Sequence, residues 1–211
     1  VVDPHPNDRT ARAPEVITAT AADDGALAES LADAFFDDPV MAWILTDEAS
    51  RRRRLSRLFG VQLRVHYLRL ATVWTTTDRA AAALWAPPGQ AVMAPTTVLR
   101  ALPDLVGSLG RHTLRALRTL HHVESLHPKE PHWYLGVLGT RTVDQGRGLG
   151  SAVLGPVLQR CDREAVPAYL ESSKFENIAF YRRHGFEQTG EIPLPFGGPT
   201  IWPMWRDPRP S

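Results

Sequence analysis

The chain has very little of several things. Its 211 residues include a single cysteine, Cys161, and only two lysines, Lys129 and Lys174, in a basic complement of 24. One cysteine cannot close an internal disulfide, which excludes a disulfide-framed domain and points to a reducing, cytoplasmic setting. No apolar run reaches bilayer-spanning length and the N-terminus carries no signal-peptide core, so no membrane association is expected. Neither sign of charge dominates: 24 basic against 23 acidic residues leave a formal +1. Bulk electrostatics therefore favour neither nucleic acid nor an anionic surface. There is no internal repeat, and no Gly-Lys-Ser/Thr tripeptide marks a nucleoside-triphosphate loop. The shortage of lysine reads as a genomic preference for arginine rather than as function.

What is present suits an ordinary globular enzyme, with 43% hydrophobic and 22% charged residues. Residues 1–15, with Pro4, Pro6 and Pro14, read as a disordered tail, and residues 16–206 as one domain. Residues 16–20 suit a strand. A helix capped by Asp23 or Asp24 should run to about Phe36, with Pro39 breaking it. Residues 41–45 form a short apolar turn or helix. Ser50 is a candidate cap for a second long helix reaching about Leu70. Residues 72–77 and 80–85 predict a hairpin turning near Thr77, Asp78 and Arg79. Residues 95–126 are helical in pattern and broken near Gly107 and Gly110, with Leu102, Leu105, Val106 and Leu109 as a buried ladder. Strands close the chain around residues 186–193 and 200–206.

The strongest signal is the heptad of residues Gln145, Gly146, Arg147, Gly148, Leu149, Gly150 and Ser151. It follows a strand-like run, residues 133–138, and opens a helix whose face carries Leu149, Val153, Val157 and Cys161 at four-residue spacing. Bare backbone lets a ligand come close to the N–H groups, and the helix start adds unpaired donors and a positive dipole end. Arg147 adds a charge suited to phosphate. This is a pyrophosphate cradle in outline. Pro156 inside the helix should bend it and leave the Ala152 carbonyl without its usual partner. Residues 167–173 then predict a short strand, and residues 176–186 a short helix stopped by Gly185. A dinucleotide-binding Rossmann unit fits less well: Ser151 stands where the third fingerprint glycine belongs, and only about sixty residues follow.

The spacing Gln145-x-x-Gly148-x-Gly150 after a strand, with Asn177-x-x-x-Tyr181 two elements on, resembles the GNAT superfamily of acetyl-CoA-dependent N-acetyltransferases. Pro128-Lys129-Glu130-Pro131, the glycine loop, and Phe180-Tyr181-x-x-x-Gly185-Phe186 resemble the puromycin N-acetyltransferase-like enzymes in particular. That likeness covers roughly residues 126–206 and is looser upstream, around Ala34-Phe35, Pro39 and Trp85 before Pro87. The resemblance implies an α/β (α+β) fold: a mixed, mostly antiparallel sheet of about seven strands flanked by helices and splayed between its fourth and fifth strands. It implies acetyl-CoA as co-substrate, no metal, and transfer of acetyl to a primary amine of a small molecule, with an aminonucleoside antibiotic as one candidate. A monomer or homodimer is expected, with no nucleic-acid or membrane partner. A non-catalytic acyl-CoA sensor and a peptide- or protein-amine acetyltransferase are the alternatives.

Residue by residue, the resemblance implies that the backbone of Leu138, Gly139 and Thr140 binds the pantetheine arm and acetyl oxygen. Gln145 through Ser151 would hold the pyrophosphate and Asn177 the pantetheine arm. Tyr181 becomes the general acid, a phenol whose basicity suits a thiolate leaving group in a dry site. Family members usually carry Val or Ile where Thr140 stands and often Pro where Thr142 stands. Neither change touches backbone hydrogen bonding. Glu171, at the end of its strand, is the candidate base or amine contact, with His132, His184 and His66 as rivals and a water chain as another route. Cys161, on the apolar stripe, reads as a buried small hydrophobe, so direct ternary-complex transfer is preferred to an acyl-cysteine. Phe35, Phe36, Trp43, Phe59, Trp85, Trp202 and Trp205 are candidates for an aromatic acceptor wall, most of them core. The segment 95–126 should help wall that site. The run Arg51 to Arg54 reads as a solvated helix face.

Overall fold

A computed structural model describes residues 14–209. The proposed tail lies outside the described residues except for Pro14 and Glu15, which lead without regular structure into the first strand. The described residues form seven α-helices and eight strands. They are β1 (Val16–Thr18), α1 (Asp24–Ala34), α2 (Pro39–Ile44), α3 (Glu48–Val65), β2 (Val73–Thr76), β3 (Ala81–Ala86), α4 (Pro95–Leu109) and α5 (Thr113–Ser125). The second half supplies β4 (Trp133–Thr140), α6 (Leu149–Glu164), β5 (Ala168–Ser172), α7 (Ile178–Arg183), β6 (Glu187–Gln188), β7 (Ile192–Pro193) and β8 (Thr200–Arg206).

The sheet order is β1-β2-β3-β4-β5-β8-β6, with β7 attached to β8. Every pairing is antiparallel except β4 with β5. The expected mixed, mostly antiparallel sheet is therefore observed, with eight strands rather than seven because the last hairpin divides into two-residue pieces. Helices cover both faces. On one, Leu27 and Leu31 of α1 and Leu55, Phe59 and Leu63 of α3 pack on Ala82 and Leu84 of β3. On the other, Val153, Leu154, Val157 and Cys161 of α6 pack on Ala81, Ala83 and Trp85. Strand β3 is thus buried at every position. Its alanines, poor strand formers by propensity, are accommodated because helices crowd it from both sides.

Several local expectations shift. The first helix is entered through a short 3-10 turn, in which the Thr20 amide donates to Asp23 Oδ2 at 2.7 Å. Asp23 thereby serves the turn rather than capping α1, and Arg79 reaches its other oxygen at 2.6 Å. Asp38 caps α2, accepting from the amides of Val40 and Met41 at 3.0 Å, with Pro39 at the first position. The cap position of α3 is Asp47, and Ser50 lies one turn inside with its hydroxyl on Asp47 Oδ2. That helix stops at Val65, and residues 67–70 form a separate 3-10 turn ending at Ala71. The 95–126 segment breaks at Gly110, whose φ of 56° ends α4. Of its apolar ladder Leu105 and Leu109 are buried, but Val106 is 46% exposed. Helix α6 runs unbroken through Pro156, whose nitrogen has no hydrogen to give the Ala152 carbonyl. The arginine run is only half solvated: Arg51 is 9% exposed and donates to the carbonyls of Leu45 and Phe36. Its buried guanidinium knits the start of α3 to the α1–α2 connection.

Candidate active site

The site begins where β4 and β5 part. Their parallel pairing covers Trp133 with Ala168, Tyr134 with Tyr169 and Leu135 with Leu170, and goes no further. Beyond Leu135 the edge of β4 that faced β5 has no strand partner, although β3 still pairs its other edge as far as Thr140. A bulge sits at the parting point: Leu84 opposes Val137 while Trp85 opposes Leu135, leaving Gly136 as the extra residue. Tyr67 explains that glycine, because a Cβ on Gly136 would lie 1.9 Å from the Tyr67 hydroxyl. Past the bulge, Gly139 faces α1, where a Cβ would meet Leu31, Ala34 and Phe35 at 2.8–3.2 Å. Both glycines therefore let neighbours close on β4.

The gap between the strands opens into a cleft of about 540 Å³. Its lining includes Leu138, Gly139, Thr140, Gln145, Gly146, Gly148, Leu149, Gly150 and Ser151 on one side, and Glu171, Asn177 and Tyr181 on the other. Each of these proposed cofactor and catalytic residues therefore borders one cleft, apart from Arg147. Arg147 instead donates to Asp144 Oδ1 at 2.6 Å, and Arg141 donates to the other oxygen of the same carboxylate at 2.8 Å. Asp144 is 6% exposed, so the two arginines brace the loop from beneath. Gln145 turns back to the Thr140 carbonyl at 3.2 Å.

The loop has the properties of an anion cradle. Gly146 and Gly148 have φ of 75° and 76°, a region that strains residues with a Cβ. Gly148 is the N-cap of α6 and no side chain caps that end, so the first amides of the helix are left for a ligand. Gly150 differs: its φ is ordinary, and a Cβ there would make only van der Waals contact with Phe180 at 3.5 Å. The loop is tied to α1, because the Thr142 amide donates to Asp33 Oδ2 at 2.7 Å. That bond is the main reason the Asp33 carboxyl is held below its usual range.

Tyr181 sits on α7, 8% exposed, with its ring against Phe180 and Phe186. Burial, and then the negative charge of Asp38, push its phenol well above the ordinary value. Tyr181 therefore keeps its proton throughout the physiological range. Asp38 also accepts the Ser173 hydroxyl, which joins the α1–α2 connection to the end of β5. Asn177 stands at the N-cap of α7, which is shorter than expected.

Glu171 is half inside the wall. Its side chain is 6% exposed, and Oε1 is buried without a hydrogen-bond partner. Around it lie Tyr67, Tyr134 and Tyr169, all with phenols raised first by burial and next by the charge of Glu171. His127, a residue the sequence did not single out, comes within 3.5 Å of Oε1 through Nδ1. The rival histidines behave differently. His132 bonds to His127 rather than bordering the cleft, His184 bonds to the Ser151 hydroxyl at 2.9 Å, and His66 has an unpartnered Nε2 beside Tyr67. Of the seven proposed wall aromatics only Phe35 lines the cleft. Phe59 and Trp85 are core, and Phe36 lies under the Arg51 guanidinium. Cys161 is fully buried and its thiol is pushed up to about 12, chiefly by burial, as expected of a packing residue.

An open, mostly antiparallel sheet that parts beside a capless helix start, with a buried phenol across the gap, defines the class of acyl-CoA-dependent acetyltransferases. Comparison with known proteins takes this further. No protein-family model matches the chain. The uncharacterized N-acetyltransferase C550.08 of Schizosaccharomyces pombe is 31% identical over 170 residues, spanning 75% of this chain and 68% of the relative. A crystal structure from Corynebacterium glutamicum, described as histone acetyltransferase HPA2 and related acetyltransferase, aligns with a TM-score of 0.69 and 28% identity over 94% of this chain and 98% of its own. The Drosophila melanogaster polyamine N-acetyltransferase, which forms N-acetylagmatine, shares the fold at a TM-score of 0.59 and 14% identity, over 92% of this chain and 99% of its own. The chain belongs to the GNAT superfamily and is an N-acetyltransferase. Among its described residues no helix is long and apolar enough to cross a membrane.

Proposed function

We propose that the chain transfers acetyl from acetyl-CoA directly to a primary amine of a small molecule, in a ternary complex, with Tyr181 and Glu171 acting within the cleft between the parted strands. The observation that carries this reading is the parting itself, which leaves one edge of β4 free after Leu135 and puts Glu171 just past the last paired residue of β5. A thioester arm laid along that edge takes its hydrogen bonds from the backbone of Leu138, Gly139 and Thr140. Its pyrophosphate rests on the amides of Gly148, Leu149, Gly150 and Ser151, and Asn177 steadies the arm. Arg147 and Arg141 stiffen the loop through Asp144. Acetyl-CoA supplies the activated acyl group. Glu171 takes the proton of the incoming ammonium, and Tyr181 gives its phenolic proton to the departing sulfur.

An enclosed Glu171 carboxylate, with the phenols of Tyr67, Tyr134 and Tyr169 near it, suits a compact ammonium by charge. That environment favours a small amine over a protein lysine. The sequence resemblance over residues 126–206 makes an aminonucleoside one member of the class to be tried. The test is acetyl-CoA consumption across puromycin, agmatine, arylalkylamines and a lysine peptide. Turnover of a small amine, and not of the peptide, is the expected result. Binding of acetyl-CoA with no turnover of any amine would instead make the chain a sensor of acyl-CoA.

A further inference from the structure

Glu171 faces the end of a chain of hydrogen bonds that a lone carboxylate base does not need. Its Oε1 is buried, unpartnered, and 3.5 Å from His127 Nδ1. His127 Nε2 is 2.9 Å from His132 Nε2, and His132 Nδ1 is 2.6 Å from the carbonyl oxygen of Glu130. A carbonyl only accepts, so His132 must carry a proton on Nδ1. Burial, the largest influence on His132, holds it below the ordinary imidazole value and hence neutral, leaving its Nε2 as a bare lone pair. The bond between the two Nε2 atoms then requires the proton of His127. A neutral His127 that donates from Nε2 has nothing on Nδ1. The chain, polarised from the Glu130 carbonyl, therefore ends with an imidazole lone pair facing an unpartnered carboxylate oxygen. One added proton completes it.

We propose that His127 and His132 are the proton outlet of Glu171, receiving the proton that the carboxylate removes from the acceptor ammonium. The inference rests on the reading of the cleft as an amine-acetylation site. The ammonium N–H breaks and an O–H forms on Glu171. That O–H then breaks as His127 Nδ1 takes the proton, which restores the carboxylate beside a new imidazolium. Across the 2.9 Å bond His127 can pass its Nε2 proton to His132 Nε2, moving the charge one ring further from the amine. One proton leaves the ammonium and one leaves the histidine pair for water. The proton that Tyr181 gives to sulfur is returned from the amine nitrogen as the amide forms, so the count closes.

The surroundings suit a transient imidazolium. Carboxylates approach from three segments: Glu171 of β5, Glu124 of α5, and Glu130 ahead of β4. The Glu124 carboxyl is raised by burial, while the charges of His121 and His127 act to lower it. Tyr134 and Tyr169 stand edge-on to His127, and Tyr169 and Trp205 to His132, which limits water to the outer side of the pair. Both histidines act through Glu171 and are positioning residues.

The first test needs no turnover. Nitrogen-15 NMR of histidine-labelled wild-type protein at alkaline pH should find His132 as the Nδ1–H tautomer and His127 as the Nε2–H tautomer. An Nδ1–H tautomer at His127 would overturn the outlet. The second test is kinetic, with an amine that the wild type acetylates. His127→Gln still donates to His132 but accepts no proton at its amide nitrogen. It should lower kcat/KM by roughly ten- to a hundredfold at neutral pH, leave the KM for acetyl-CoA unchanged, and shift the acidic limb of the pH profile. The loss should disappear for an arylamine acceptor, which is already neutral. A folded His127→Gln enzyme with full kcat/KM and an unmoved pH profile contradicts the proposal. A wild type that acetylates no amine contradicts the amine reading instead, and the tautomer pattern still decides the relay.

Discussion

The two walls of the cleft are built on different principles. The glycine-loop wall is backbone: consecutive residues, positive φ at Gly146 and Gly148, and the uncapped start of α6. The Glu171 wall is side chains: Glu171 borders the cleft and is backed from four separate places, by Tyr67 after α3, His127 after α5, His132 and Tyr134 at β4, and Tyr169 on β5. On the proposed reading, the backbone wall recognises what every acyl-CoA shares. A side-chain wall can change with each acceptor while the loop stays the same. Binding of acetyl-CoA and turnover should therefore separate cleanly by mutation.

The largest expected effect lies on the side-chain wall. Glu171→Gln keeps the shape and removes the basic oxygen, so kcat/KM for the amine should fall by about a hundredfold to ten-thousandfold. Steady-state kinetics with a fixed amine measure it, and acetyl-CoA affinity by calorimetry should hold. Tyr181→Phe comes next, with kcat lowered about tenfold to a thousandfold and the cofactor still bound. If binding fails together with kcat, the hydroxyl holds the cofactor and is not the acid.

On the backbone wall, Gly148→Val should abolish the rise in melting temperature that acetyl-CoA gives the wild type, since a branched residue is strained at a φ of 76° and blocks close approach. Asp33→Asn weakens the tie between α1 and the loop and should cost about 1 kcal/mol at neutral pH. Because the Asp33 carboxyl is held below its ordinary 3.8, its contribution is complete above that value and is lost as pH falls through the lower folded value. Urea midpoints of wild type and variant should therefore converge only in that acid range. The smallest effect is Gly150→Ala, which should leave both affinity and kcat within about twofold, because the added methyl meets Phe180 at an ordinary 3.5 Å. A large loss there would mean that the loop demands bare backbone at all three glycines.

The difference between the walls also explains what could be read in advance. Local patterns carried the glycine loop, the apolar stripe of α6 and the hairpin of β2 and β3, since each depends on residues a few positions apart. Tyr181 and Glu171 were singled out through the resemblance, whose motifs follow that loop closely, and both border the cleft. His127 was not, although it adjoins the noted Pro128-Lys129-Glu130-Pro131. Nothing in a helix or strand period joins it to His132 across two prolines, and only the pairing of β4 with β5 brings Glu171 beside them. Which aromatic would reach the cleft was not legible for a related reason. Large aromatics such as Phe59 and Trp85 were taken by the core, while tyrosines, with a polar end to spend near a carboxylate, gather around Glu171. Arg51 was misread because its carbonyl partners, Leu45 and Phe36, precede its helix.

The most direct test of a backbone wall for the cofactor and a side-chain wall for the chemistry is acetyl-CoA binding measured side by side on folded Gly148→Val, Glu171→Gln and Tyr181→Phe proteins. The account expects binding to be lost in the first and kept in the other two, whose turnover is nevertheless impaired. Unchanged binding by Gly148→Val, or loss of binding by Glu171→Gln, would contradict it.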